Sequence, residues 1–198
     1  MPDWTGNSRT IYTIIGATNH AFGERAADDF YATDPVAIDL LMESGIELAH
    51  DLWEPACGQG HLAERLKYGY GYNVYATDLV DRGYGDDHFD FLASDRHWDG
   101  DIITNPPYKH AQAFAEHALD SIDDGRMVIL FLKLSFLESK VRRSFFARKQ
   151  LETVYVFSDR ITCAKNGDFD AVKTRSAVAY GWFVFRKGYN DWPQIRWL

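Results

Sequence analysis

Long apolar runs are missing from this 198-residue chain, and so is a hydrophobic leader. Met1–Arg9 is polar, and no stretch reaches the roughly 20 apolar residues of a membrane-spanning helix. Cysteine is scarce. Cys57 and Cys163 lie far apart and cannot make a zinc site alone, so free thiols are expected. Internal repeats, low-complexity tracts and linkers are absent as well. These absences argue against a membrane partner, a disulfide scaffold or a repeat array, and toward a soluble, cytoplasmic, metal-independent protein. What is present is a 46% hydrophobic chain, enough for one domain to bury a core without staples.

Positive charge is also in short supply. The net charge of −8 counts against a nucleic-acid partner, because phosphate binding needs Lys and Arg. The distribution softens that objection. Residues 1–125 hold 7 basic and 23 acidic side chains, whereas residues 126–175 hold 11 and 5. Either one side of the protein faces a polyanion, or its solvated surface is simply uneven.

Residues 1–28 show no clear periodicity and read as an N-terminal arm with one short strand, Thr10–Ile15. Asp34 is placed to cap a helix, with Pro35 at its first position. Val36, Ile38, Leu41 and Met42 form its apolar face, and Gly45 ends it. Short strands follow at Asp51–Glu54 and Asn73–Thr77, with a helix over His61–Lys67 between them. Another short strand is expected near Phe89–Ala93, then one at Asp101–Thr104 and a helix over His110–Ile122. Arg126–Leu132 is nearly continuous in apolar residues, as befits a central strand buried on both faces. A helix (Leu137–Lys149), a strand (Thr153–Phe157), a long polar loop (Ser158–Arg175) and an aromatic closing strand (Ala177–Phe185) complete the pass. Strands alternating with helices predict a single α/β domain over residues 29–198, its mostly parallel sheet covered on both faces.

Ligands of such sheets bind at the carboxyl ends of the strands. The two most unusual segments fall there. In Glu54-Pro55-Ala56-Cys57-Gly58-Gln59-Gly60, two glycines two apart let the backbone turn tightly and approach a ligand. The same pattern also serves as a plain structural turn, and a nicotinamide cofactor stays open at this point. Asp78, about twenty residues on, can accept hydrogen bonds from a ribose diol or stand as an ordinary solvated carboxylate. Asn105-Pro106-Pro107-Tyr108 separates the cofactors. Two prolines after a buried strand remove two amide donors and fix the chain's direction. The Asn oxygen and the next carbonyl then present acceptors suited to a planar NH2 group, and Tyr108 offers a ring face for stacking.

With these elements the chain resembles the amino-methyltransferase branch of the S-adenosylmethionine-dependent methyltransferases. Within it the chain is most similar to the DNA N6-adenine enzymes, especially the small versions of phages and prophages. The resemblance runs from about Asp29 to the C-terminus. It implies a Rossmann-like domain with an antiparallel C-terminal strand and S-adenosyl-L-methionine as cofactor. Asp29–Pro35 would meet the methionine end of that cofactor through Tyr31, Thr33 and Pro35. Glu54, Pro55, Ala56, Gly58 and Gly60 would form its glycine loop, and Asp78 with Leu79 would hold the ribose. Asp90 would reach the adenine amino group with Phe91 beside the ring. Asn105, Pro106, Pro107 and Tyr108 would be the catalytic tetrapeptide, Asn105 also bordering the cofactor.

The chain departs from that family where it ends, directly after the last expected strand, with no separate target-recognition domain. Specificity would then come from short loops, from a protein partner, or be relaxed. Ser158–Arg175, with Arg160, Lys165, Lys173 and Arg175, is either a recognition loop or a solvated crossing. Arg142, Arg143, Arg148 and Lys149 either touch phosphates or solvate a helix face. Tyr180 and Trp182 either stack on a flipped base or belong to the core. DNA is the expected partner, with RNA open. The alternatives are an RNA adenine or protein glutamine-amide methyltransferase, or a silent nucleic-acid-binding subunit.

Overall fold

The computed structural model describes residues 31–165 and 178–198. The arm with its expected strand at Thr10–Ile15 lies outside these, as do Lys173 and Arg175. In chain order the strands are β1 (Tyr31–Thr33), β2 (Asp51–Glu54), β3 (Asn73–Asp78), β4 (Asp87–His88), β5 (Asp101–Thr104), β6 (Met127–Lys133), β7 (Leu151–Val156), β8 (Cys163–Lys165), β9 (Tyr180–Arg186) and β10 (Gln194–Trp197). The α-helices are α1 (Val36–Glu43), α2 (His61–Glu64), α3 (Ala111–Asp120) and α4 (Arg143–Phe146). Eight strands form one sheet in the order β10-β7-β9-β6-β5-β2-β3-β4, and β1 pairs with β8 in a separate ribbon. Within the large sheet only β9 runs antiparallel, to both β6 and β7.

Helices cover both faces, as the apolar run of β6 demands. On one face α1 and α2 bury Ile38, Leu41, Leu62 and Ala63 against Leu52, Ile103 and Ile129. On the other, α3 buries Phe114, Ala115, Ala118 and Leu119 against Trp53, Ile102 and Leu130. Asp101 stitches this centre together: its buried carboxylate accepts the backbone N–H groups of Ala49 and Met127, both at 2.7 Å. Among the described residues no helix is long and apolar enough to cross a membrane.

Several expected elements take other forms. The Val36 N–H donates to Asp34 Oδ1 (3.0 Å), the expected cap, but Val36 itself is exposed and Ala37 takes its place in the core. The strand expected at Phe89–Ala93 is a 3-10 turn (Phe91–Ala93), because Asp90 Oδ1 accepts the Ala93 N–H and Phe91 anchors edge-on to Trp53. The helix expected over Leu137–Lys149 shortens to α4. Upstream, the Arg142 guanidinium donates to the carbonyls of Ser135, Phe136 and Glu138 and folds that stretch into a clasp. Such side-chain bonds compete with a continuous helix. The polar loop contains β8, and a further strand, β10, follows the aromatic one and pairs parallel with β7.

Candidate active site

A cavity of about 340 Å³ opens where β2, β3 and β5 end, within the range that holds small ligands. Its wall brings together most of the residues the sequence singles out: Tyr31 and Thr33, Glu54, Pro55 and Ala56, Asp78 and Leu79, Asp90 and Phe91, and Asn105 through Tyr108. Pro35, Gly58 and Gly60 are not in that wall. Pro35 starts α1. Gly58 and Gly60 adopt φ of 56° and 84°, the left-handed region that favours glycine. A Cβ on Gly60 would lie 2.5 Å from the Tyr84 ring, so this glycine makes room for an aromatic lid over the turn. Tyr84 carries no motif, and the sequence reading missed it.

The turn after β2 is tied to β3. Asp78 Oδ2 accepts the Gly58 N–H at 2.8 Å and Oδ1 accepts the Val80 N–H at 2.9 Å. Glu54 ends β2 fully inside, with Oε2 buried and unpartnered. Burial holds its carboxyl well above the usual carboxylate range, and Asp78 adds to the rise, although the Ala63 backbone and Lys67 oppose it. A buried acid beside a cavity, with an oxygen left over, is suited to a cationic ligand.

The Asn105 amide is oriented from outside its own strand. Its Nδ2 donates to Tyr31 O and to Thr33 Oγ1, both at 2.8 Å. Tyr31 O can only accept, so the nitrogen side of the amide is defined. That leaves Asn105 Oδ1 as the acceptor, and it is buried with no protein partner. Beside it, the Tyr108 ring has Tyr31 at 6.3 Å, Tyr180 at 5.9 Å and the Lys133 ammonium 4.6 Å from its centroid. Lys133, at the carboxyl end of β6, is a second residue without a motif signal.

Neither cysteine is an activated nucleophile. Burial, then the charges of Glu54 and Asp78, pushes the Cys57 thiol up. Cys163 is pushed up to about 12, chiefly by burial. The Tyr108 hydroxyl is raised by burial as well and stays neutral.

The expected nucleic-acid contacts divide. Trp182 is fully buried, packs edge-on to Phe131 and donates its indole N–H to Ala37 O at 2.9 Å. It is core, because β9 is sandwiched between two strands, and it cannot reach a base. Tyr180 is also buried, stacked 5.0 Å from Phe131, and meets the site through Tyr108. Arg142 is engaged in its backbone clasp, whereas Arg143 and Arg160 are exposed. Lys165 lies on β8.

No family model matches the chain, and no curated protein matches it by sequence. Solved structures do. A type I restriction-modification system methyltransferase subunit from Streptococcus thermophilus superposes at a TM-score of 0.57 and 14% identity, over 85% of this chain and 46% of that one. A candidate class I S-adenosylmethionine-dependent methyltransferase from Listeria monocytogenes gives 0.54 and 12%, over 96% and 71%. A candidate RNA methyltransferase from Pyrococcus horikoshii gives 0.56 and 14%, over 90% and 98%. At such identities the likeness is one of fold: the Rossmann-like architecture expected from the sequence is present. The chain spans about half the length of the Streptococcus subunit.

Proposed function

We propose that this chain transfers a methyl group from S-adenosyl-L-methionine to the N6 amino group of adenine in DNA. The observation that carries the reading is the Asn105 amide, whose NH2 is held by the Tyr31 carbonyl and the Thr33 hydroxyl while its oxygen is buried without a partner. An unpaired buried acceptor costs about 1–3 kcal/mol. A donor from an amino group held in the cavity removes that cost. The solved structures of similar fold include proteins named as restriction-modification and RNA methyltransferases, which supports the reaction class.

The cavity suits the cofactor on this chain's own chemistry. Glu54 and Asp78 line it as acids, Phe91 and Leu79 give it apolar walls, and the cofactor is cationic. When bound, S-adenosylmethionine supplies an electrophilic methyl group on a sulfonium. Tyr31 and Thr33 border the same cavity from β1, the methionine side on this reading.

The target adenine enters turned out of its helix or from a single strand, at an unstacking cost of a few kcal/mol. Asn105 Oδ1 and the Pro106 carbonyl accept hydrogen bonds from its two amino N–H groups, which turns the nitrogen lone pair out of conjugation with the ring. The N–C bond would form as the sulfonium S–C bond breaks, and one amino proton would then pass to water. Pro106 and Pro107 keep the two acceptors rigid, and Tyr108 lies against the base. Alignment and fixed dipoles carry the rate, with no covalent intermediate. Both thiols stay protonated at neutral pH, consistent with that route.

The test is methyl transfer from labelled S-adenosylmethionine to unmethylated DNA, with RNA in parallel, followed by digestion to nucleosides. N6-methylated deoxyadenosine is expected. Asn105→Ala should lower the rate by at least about a hundredfold while calorimetric cofactor binding persists. Label confined to RNA changes the substrate and keeps the site chemistry. Equal loss of binding and transfer in the variant removes the role given to Asn105. A protein partner that delivers the target belongs to the same proposal, and gel filtration with and without DNA reports on it.

A further inference from the structure

Trp192 and Trp197 are 76% and 70% exposed, and Ile195 between them is 56% exposed. They do not belong to a frayed tail. β10 pairs with β7 along its length, the Leu198 N–H donates to Val156 O, and Leu198 O accepts the Ser158 N–H. All four residues of β10 are nevertheless open to solvent. An ordered outermost strand carrying the bare indole of Trp197, with that of Trp192 just before it, is costly without an occupant, because exposed edge strands and large apolar side chains invite association.

The register places this edge relative to the cavity. Trp197 is level with Val156, and through β9 with Gly181 and Leu132, one residue before Lys133. Trp197 thus stands at the end of the sheet where the cavity opens. Four strand spacings separate β5 from β10, roughly 19 Å. Trp192 precedes the other end of this edge, two residues before β10 begins at Gln194.

Cations lie near the indoles: Lys149 Nζ is 5.6 Å from the Trp192 ring, Arg160 is exposed two residues beyond the Ser158 that pairs with Leu198, and Arg196 is exposed on β10, on the face opposite Trp197, where it donates to Gln194 Oε1 at 3.3 Å. The nearby Asp191 carboxylate is turned onto the Trp192 N–H at 2.7 Å. Aromatic faces near Lys and Arg are what unpaired bases and their phosphates require. Duplex DNA hides its base faces, and a second copy of this edge would bring a second set of the same cations against the first.

We propose that the β10 edge binds a single-stranded segment of nucleic acid flanking the base presented to the cavity. Trp197 and Trp192 stack on bases, and Arg160, Arg196 and Lys149 meet phosphates. The distance from the cavity to Trp197 matches about five or six base steps at 3.4 Å. The proposal rests on the nucleic-acid reading of the site and adds strandedness and a path to it.

The test is fluorescence anisotropy of a labelled oligodeoxythymidine strand, which has no adenine for the cavity, against the full chain. Trp192→Ala with Trp197→Ala should weaken binding at least about tenfold, and Arg196→Gln, which removes no packed group, should weaken it less and flatten its salt dependence. A duplex of equal length should bind more weakly than the strand. Unchanged binding in the variants, tighter binding of duplex, or sedimentation showing a dimer that the Trp substitutions dissolve would each overturn the proposal, the last by giving the edge to a second copy. The assay needs no turnover. A chain that binds the strand and methylates nothing keeps this inference and loses the proposed reaction, whereas methylation with unchanged KM in the double variant does the reverse.

Discussion

The two halves of the chain treat buried polar atoms differently. Among the described residues Glu54 Oε2, Thr104 Oγ1 and Asn105 Oδ1 are buried without protein partners, and all three line the ends of β2 and β5. Residues 127–165 and 178–198 bury their apolar side chains in β6, β7 and β9 and leave none unpaired among those described. The charge divides in the same way, with 23 acidic and 7 basic residues in positions 1–125 against 5 and 11 in 126–175. A half that leaves acceptors and acids unsatisfied loses stability and gains a place for a ligand. The other half supplies the packing that makes this tolerable. On the proposed reading a cationic cofactor belongs to the acidic half and a polyanion to the basic one.

Breaking the packed half should have the largest effect. Trp182→Ala opens a cavity under β9 and removes the indole bond to the Ala37 carbonyl, which keeps its helix bond within α1. A loss of about 3–5 kcal/mol in unfolding free energy is expected, measured by urea denaturation. A mild variant with selectively weakened DNA binding would instead return Trp182 to the base-stacking role that its burial denies it.

The second prediction acts across the boundary between ribbon and sheet. Thr33→Val keeps the shape of the side chain and removes the hydroxyl that holds Asn105 Nδ2. A freed amide can turn, and small misplacements at a reacting centre cost on the order of a hundredfold in rate. The fall should appear in kcat rather than in the nucleic-acid KM, and Thr33→Ser should recover most of it. A loss in the cofactor Kd alone, with kcat intact, would place Thr33 on the cofactor instead.

These contacts also mark where the sequence stops being legible. β2 and β5 are found to the residue at Asp51–Glu54 and Asp101–Thr104, because each is a short apolar run ended by a turn of unusual composition. The cavity residues follow from those turns. The partner that orients Asn105 does not, since Tyr31 and Thr33 lie 74 and 72 positions away and the three-residue β1 has no period to read. β8 is equally short, and β10 shows no alternation because both its faces are exposed, with Pro193 at its entry suited to an edge. Arg142 hides a broken helix for a related reason: its clasp is made to carbonyls, which leave no trace in side-chain pattern. The glycines are legible as a turn, but only the packing of Tyr84 shows what the missing side chain of Gly60 admits.

The smallest effect, and the sharpest test of the contrast between halves, is in the pH dependence at Glu54. Its carboxyl is held above the ordinary value of 4.5 in the folded chain, mainly by burial. The folded state therefore keeps its proton at pH values where the unfolded chain has released it. Below 4.5 both states are protonated and the group contributes no pH dependence. Above it, unfolding releases a proton, so stability falls as the pH rises, until the folded carboxyl ionises too. Glu54→Gln removes that decline, and the chain without cofactor should melt higher than the parent at neutral pH. The same variant should bind S-adenosylmethionine more weakly, because the acid that destabilises the empty cavity is the one a cationic ligand rewards. Thermal melts across pH, with and without cofactor, read both signs at once. A variant that gains stability and keeps full affinity would show that Glu54 is a structural burden without a ligand to justify it.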